Sequence, residues 1–158
     1  MAAESSENHA IVLRLSEWDA SAVAGVLEFR GEITLLISRG HLLRVTDFLR
    51  TDAECQFNFL SDITATDRFP IEPRFELNYH LLSLKRTERL RLKVRLNGAD
   101  PVAPSVVSVW KGANWHEREA FDLFGIRFTG HPDLRRILMP DEWEGYPLRK
   151  DYPVEGYR

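Results

Sequence analysis

The sequence predicts an α+β fold: a small antiparallel or mixed sheet packed with helices, followed by an extended C-terminal arm. Three observations carry this. Phe75, Leu77, Tyr79 and Leu81 alternate with Glu76, Asn78 and His80, and Leu90, Leu92, Val94 and Leu96 alternate with Arg89, Arg91, Lys93 and Arg95. Joined by a short polar connection through Lys85, Arg86, Thr87 and Glu88, these runs make an antiparallel hairpin with one apolar face. Upstream, helical spacing supplies a layer to cover that face, which favours segregated helices over a doubly wound sheet. From Thr129 onward, Pro132, Pro140, Pro147 and Pro153 forbid a long helix, while Trp143, Tyr146, Tyr152 and Tyr157 recur every few residues.

At 158 residues the chain is long enough for one domain with a proper core. The expected division is a single α+β domain over residues 1–139, with residues 1–10 frayed, and an arm over 140–158 that packs on a partner. Ile11 to Leu15 reads as a short strand or lead-in. Ser16 and Asp19 resemble a capping box, and Trp18, Ala22, Val26 and Phe29 then fall on one helical face, predicting a helix that ends near Gly31. Ile33 to Ile37, bounded by Gly31 and Gly40, predicts a strand. Leu42, Val45 and Leu49 restore helical spacing over His41 to Arg50. Thr51 and Glu54 suggest another helix start carrying Phe57 and Leu60, and Ser61 to Pro73, punctuated by Pro70 and Pro73, reads as loop. After the hairpin, Val106 to Trp110 forms a short apolar element broken by Gly112. Asn114 then caps a helix, Glu117 closes its capping box, and Gly125 is the natural stop.

Composition excludes several functions. Hydrophobic content of 44% and charged content of 28% are those of a soluble globular protein. A net charge of −3 gives no electrostatic reason to expect nucleic acid, and the row Arg89, Arg91, Lys93, Arg95 lacks interleaved aromatics and reads as a solvated strand face. No apolar run approaches the roughly 20 residues needed to span a bilayer. The N-terminus lacks the basic and apolar regions of a signal peptide, so the chain is expected to stay in the cytoplasm and to meet a membrane only through a partner. The single Cys55 allows neither an intramolecular disulfide nor an iron–sulfur cluster held by this chain alone. Among apolar neighbours it reads as a small buried hydrophobe.

The helix after Asn114 carries the densest chemistry. Glu117, Phe121 and Phe124 share one face, Trp115, Glu119 and Leu123 another, and Arg118 stands one turn before Asp122. His116, Glu117, Glu119, Asp122 and His131 could be weighed as metal ligands. The HisGluxxHis arrangement is absent, because Ala120 occupies the place of the second His, and the doubled GluxxHis of di-iron bundles is absent too. Acid/base catalysis by Glu117, Glu119, Asp122 and His131 is a rival reading, but no phosphate loop, GlyxSerxGly elbow or Cys/His pairing accompanies it. The structural reading is favoured: a buried charge must be paired, and Arg118, Arg127, Arg135 and Arg136 supply partners together with backbone amides. The arm, with its aromatics and with Arg149 and Lys150 to meet acids, has the composition of a segment lying on another protein.

Three runs make the chain recognisable: EREAFDLFGI from Glu117 to Ile126, GHPDLRRILMP from Gly130 to Pro140, and WEGYPLRKDYP from Trp143 to Pro153. They resemble the family of C-type subunits of the proton-translocating NADH:quinone oxidoreductases, respiratory complex I (NDH-1). Weaker similarity continues upstream through FLSDITATD, RFELNYHL and SVWKGANW, and residues 1–30 match only loosely. The resemblance implies a hydrophilic peripheral-arm subunit in its stand-alone form, with no catalytic, cofactor-binding or metal residues of its own. It implies a structural and assembly role in a hetero-oligomer on the cytoplasmic face of the cell inner membrane, chiefly beside the D-type subunit that helps to form the quinone site and beside neighbouring cluster-bearing subunits. FMN, iron–sulfur clusters, NADH and quinone would lie on those other subunits. The family motif and subunit interface are then expected at Glu117, Arg118, Glu119, Asp122, Gly125, His131, Arg135, Arg136, Trp143, Pro147, Leu148, Arg149, Lys150, Asp151 and Tyr152. Relatives also occur in membrane-bound hydrogenases and in quinone-reducing complexes with other electron donors.

Overall fold

The structure is a computed structural model that describes residues 9–156. The expected fraying of residues 1–8 and the expected aromatic contact of Tyr157 lie outside the described residues. In chain order the elements are α1 (Ala10–Trp18), β1 (Val23–Phe29), β2 (Glu32–Ile37), α2 (Leu42–Thr51), β3 (Phe59–Asp67), β4 (Phe75–Ser83), β5 (Glu88–Leu96), β6 (Val102–Pro104), α3 (Ala113–Phe124) and β7 (Arg127–Thr129). The main sheet runs β1-β2-β5-β4-β3 and is mixed, because β2 and β5 are parallel while the other neighbours are antiparallel. A second, two-stranded sheet pairs β6 with β7 in parallel.

The β4–β5 hairpin forms as its alternation predicts. Leu77 lies opposite Val94, Tyr79 opposite Leu92 and Leu81 opposite Leu90, so one face is continuously apolar. Buried residues of α1, α2 and α3 join that face in one core. The outer face pairs the cations of β5 with acids: Glu76 accepts from Lys93 and from Arg95, each at 3.0 Å, and Arg91 donates to Glu32 at 2.8 Å.

The first quarter of the chain departs from its pattern. His9 and Ala10 are not frayed ends, since the His9 ring caps α1 through the Ile11 amide, and Ile11, Val12 and Leu15 bury one helical face where a lead-in was expected. Ser16 and Asp19 do not cap a second helix. The Ser16 hydroxyl donates back to the Val12 carbonyl at 2.9 Å, and the Asp19 carboxylate turns the chain by accepting from the Ser21 amide, also at 2.9 Å. The expected helix to Gly31 is instead strand β1, because Arg30 and Gly31, at φ 53° and 78°, form a two-residue hairpin loop that returns the chain as β2. Trp18 serves another purpose, stacking on Phe48 of α2 at 4.4 Å.

The expected helix after Thr51 is likewise absent. The Asp52 carboxylate gathers the amides of Glu54 and Cys55, and Gln56 at φ 47° ends any helical path. The expected loop from Ser61 is mostly strand β3. A bulge between Leu60 and Asp62 lets Leu60 and Ile63 both turn inward, which hides the alternation, and only the segment around Pro70 and Pro73 is loop. Among the described residues no helix is long and apolar enough to cross a membrane.

Candidate functional site

Helix α3 packs along β3 and sends one side chain after another into the chain that follows it. Gly112, not Asn114, occupies the N-cap, and no side chain caps this end. Glu117 is therefore free of the expected capping box and turns inward. Gly125 ends the helix in the left-handed region at φ 72°, as its position predicts. It also leaves room that no other residue could: a Cβ there would lie 2.5 Å from the Tyr146 ring and 2.6 Å from the Arg149 guanidinium.

Asp122 is completely buried, and its carboxylate organises the chain beyond β7. Oδ2 accepts from the successive amides of Ile137, Leu138 and Met139 at 3.0, 2.7 and 2.9 Å, while Oδ1 accepts from Arg136 at 2.7 Å. Burial works against this charge, but the amides and the guanidinium outweigh it and hold the Asp122 pKa below the usual carboxylate range. Arg136 continues outward, donating to the carbonyls of Trp143 and Gly145, each at 3.0 Å. Arg118 does not pair with Asp122, as its spacing suggested; its guanidinium donates to the carbonyls of Arg135 and Arg136 at 3.1 and 3.0 Å. Arg135 itself pairs with Asp133 at the surface, and Arg127 with Asp100. Both lie away from α3's carboxylates, contrary to the pairing expected from sequence.

The other carboxylates of the helix differ. Glu117 is also completely buried, yet among the described residues it accepts only from the Ser105 hydroxyl and the Val106 amide, each at 2.7 Å. Burial raises its pKa to about 7, and those two donors only partly offset that. Glu119 is exposed on a cleft of about 220 Å³ between β3 and α3, also lined by Leu148. His131 buries its side chain with Nε2 3.9 Å from Glu117 Oε2. The acid/base grouping therefore does not assemble at an open site: two members are sealed inside, one is committed to a loop, and one faces solvent. Among the described residues no cluster of three or more His, Cys, Asp or Glu is placed to hold a metal ion.

The arm lies against its own domain across the expected boundary at residue 139. It advances by turns that bond Trp143 to Pro140, Arg149 to Tyr146, Tyr152 to Arg149 and Gly156 to Pro153. The Leu148 amide donates to the Leu123 carbonyl at 3.1 Å, and Arg149 donates to the Phe124 carbonyl at 2.6 Å while its guanidinium lies 5.2 Å from the centre of the Phe75 ring. Arg74 clasps Asp67 at 2.7 Å and Asp151 at 2.6 Å, and the Lys150 amide donates to Asp67 at 2.8 Å. Despite burial, Arg74 and the Lys150 and Phe69 amides hold the Asp67 pKa at about 2. Exposed apolar surface remains around this frame at Trp115, Leu138, Trp143 and Leu148. Pro147 presets the turn before Leu148, and the Tyr152 hydroxyl donates to the Glu144 carbonyl at 3.3 Å.

The sequence motif thus locates residues that the structure does bring together, with α3, His131, Arg136 and Arg149 to Asp151 joined by hydrogen bonds. Ser105, Tyr79, Asp67 and Arg74 were missed. Asp67 and Arg74 flank the Pro70–Pro73 loop, a spacing that could have marked them as a clasp; nothing in the sequence singles out Ser105 or Tyr79.

The family described as "Respiratory-chain NADH dehydrogenase, 30 Kd subunit" matches residues 35–158. The C-type subunit of the NADH-quinone oxidoreductase of Roseiflexus sp. (strain RS-1) is 47% identical over 148 residues, covering 94% of this chain and 85% of that protein. The same subunit of Citrifermentans bemidjiense is 45% identical over 151 residues, covering 96% and 92%. Among solved structures, a trypsin-resistant fragment of Nqo5 superposes with a TM-score of 0.65 at 32% identity, over 78% of this chain and 98% of the fragment. A chain of the membrane-bound sulfane sulfur reductase, an archaeal respiratory membrane complex, superposes with a TM-score of 0.73 at 28% identity, over 91% and 84%.

Proposed function

The chain belongs to the respiratory-chain NADH dehydrogenase 30 Kd subunit family, and from that premise we propose that it is a non-catalytic subunit with a structural and assembly role. It docks at the cytoplasmic face of the membrane, beside the quinone-site subunit and its cluster-bearing neighbours, and supports electron transfer from NADH to quinone without binding a cofactor itself. One observation carries this reading. Asp122 and Arg118 of α3, Arg136, and Arg74 just before β4 shape the segment from Leu134 to Tyr152, while Trp143 and Leu148 stay exposed on it. Hydrogen-bonded charges that shape a loop, with apolar side chains left at its surface, fit a docking face better than a reaction site.

The test is to replace Trp143 and Leu148 together by Ala and to purify the membrane complex. The expected result is a folded chain lost from the complex, with NADH:quinone activity falling in proportion to its occupancy. Normal occupancy with abolished turnover would instead assign chemistry to the chain. The likeness to the sulfane sulfur reductase chain favours one second reading, the equivalent subunit of a respiratory membrane complex with another electron donor. The subunits that co-purify with the intact chain decide between the two.

A further inference from the structure

Tyr79 on β4, Ser105 after β6, Glu117 on α3 and His131 after β7 come from separate parts of the chain and meet in its interior. Glu117 has two hydrogen-bond donors, the Ser105 hydroxyl and the Val106 amide, and both are neutral. Among the described residues its only ion-pair candidate is His131, at 3.9 Å. The bonds of that ring fix where its proton sits. Nδ1 accepts from the Asp133 amide at 3.0 Å, so Nε2 is the nitrogen that carries hydrogen, facing the Asn114 carbonyl at 3.3 Å. His131 therefore directs its N–H to the Asn114 carbonyl, with Glu117 beyond hydrogen-bond range at 3.9 Å, and keeps its other nitrogen as an acceptor.

The remaining charged groups around α3 are committed elsewhere. His116 faces Asp62 of β3 at 3.1 Å, Arg118 binds the carbonyls of Arg135 and Arg136, and Arg136 holds Asp122. Among the described residues the fully buried Tyr79 hydroxyl, within electrostatic reach of Glu117, has no hydrogen-bond partner. Its phenol is pushed further from ionisation by burial and then by the Glu117 charge. A buried anion with no cation and only two neutral donors is unstable in such surroundings.

We propose that these residues form a buried proton-binding site, in which the Glu117 carboxylate takes up a proton from solvent when the chain folds. Protonation turns one carboxyl oxygen from acceptor into donor. The Ser105 hydroxyl and the Val106 amide, each at 2.7 Å, both donate to the carboxylate, so the ionised form holds them more strongly. Loss of the proton therefore tightens the two bonds that join α3 to the loop after β6, and that gain opposes the cost of the buried charge. The site belongs to this chain and needs no partner subunit.

The test is a pH titration of the full-length chain with ¹³C-labelled Glu side chains, followed by NMR and assigned through the backbone. One Glu carboxyl is expected to titrate with a midpoint of about 7, and that signal should be absent from Glu117→Gln. Ser105→Ala, which removes a donor to the carboxylate, should move the midpoint upward. Titration of residue 117 in the ordinary carboxylate range would overturn the proposal, as would a Ser105→Ala midpoint that fell or stayed unchanged. A Glu117→Gln chain that failed to fold would leave the wild-type titration decisive, since its assignment does not depend on the substitution.

Discussion

The two ends of α3 bury carboxylates with equal completeness and opposite results. Asp122, near the C-terminal end, is met by three amides and a guanidinium and stays ionised; Glu117, nearer the start, is met by one hydroxyl and one amide and has its pKa raised to about 7. Burial is common to both and opposes charge in both, so the donors decide. The difference also separates what each carboxylate does. Asp122 fixes the path of the chain from Arg136 to Met139, on which the exposed apolar face is built, whereas Glu117 fastens one loop to one helix.

The largest effect should come from Asp122→Ala, which leaves Arg136 and three amides without their acceptor. Breaking a buried pair of this kind costs about 3–5 kcal/mol. Chemical denaturation of the full chain measures it, and a loss below about 1 kcal/mol would show that the Arg136–Met139 segment is held by other contacts.

The pH profile should show both signs. Glu117 binds its proton more tightly folded than unfolded, so stability falls as pH rises from about 4.5 to about 7, a change of roughly 3 kcal/mol if the shift is fully expressed. Asp67, near the clasp, has its folded pKa depressed from 3.8 to about 2. Its contribution is lost as pH falls through that window, about 2 kcal/mol by the same conversion. Denaturation midpoints from pH 2 to 8 in Glu117→Gln and Asp67→Asn should each lose one limb of the profile. A profile unchanged in both variants would refute the assignment.

Matched amides sharpen the contrast further. Asp122→Asn forfeits hydrogen bonds to a charged acceptor and should cost about 1.5–3 kcal/mol, while Glu117→Gln imitates the protonated acid and should cost less than about 1 kcal/mol at neutral pH. Smallest of all, Trp143→Ala should leave folding stability within about 0.5 kcal/mol, because the side chain is on the surface. Equal losses for the two amides in calorimetry would remove the distinction between the carboxylates.

How much of this was legible follows from where each signal lies. The β4–β5 hairpin, β2, α2 and the stop at Gly125 are set by neighbouring residues, and local period or one required backbone angle reveals them. Trp18, Ala22, Val26 and Phe29 matched a helix by coincidence of spacing; the Arg30–Gly31 loop that overrides it is a two-residue signal inside that run. β3 was obscured because its bulge breaks the alternation on which a strand is recognised. The site divides in the same way. Gly125 and the acids of α3 could be named, but the acceptor role of Asp122 depends on amides 15 to 17 residues later. The Arg74–Asp151 bond joins residues 77 apart. For the same reason the bonds across the expected boundary at residue 139 were hidden: a cut after Met139 would remove Asp151, the Lys150 amide and Arg149 from their bonds to the domain.

The most direct measurement is co-purification of neighbouring complex subunits with full-length chains carrying Asp122→Asn or Glu117→Gln, expressed at a temperature where both are folded. If Asp122 shapes the docking face and Glu117 only fastens an internal loop, the Asp122→Asn chain should recover markedly fewer partner subunits and the Glu117→Gln chain should match the wild type. Equal recovery by both variants, or a loss confined to Glu117→Gln, would contradict the account.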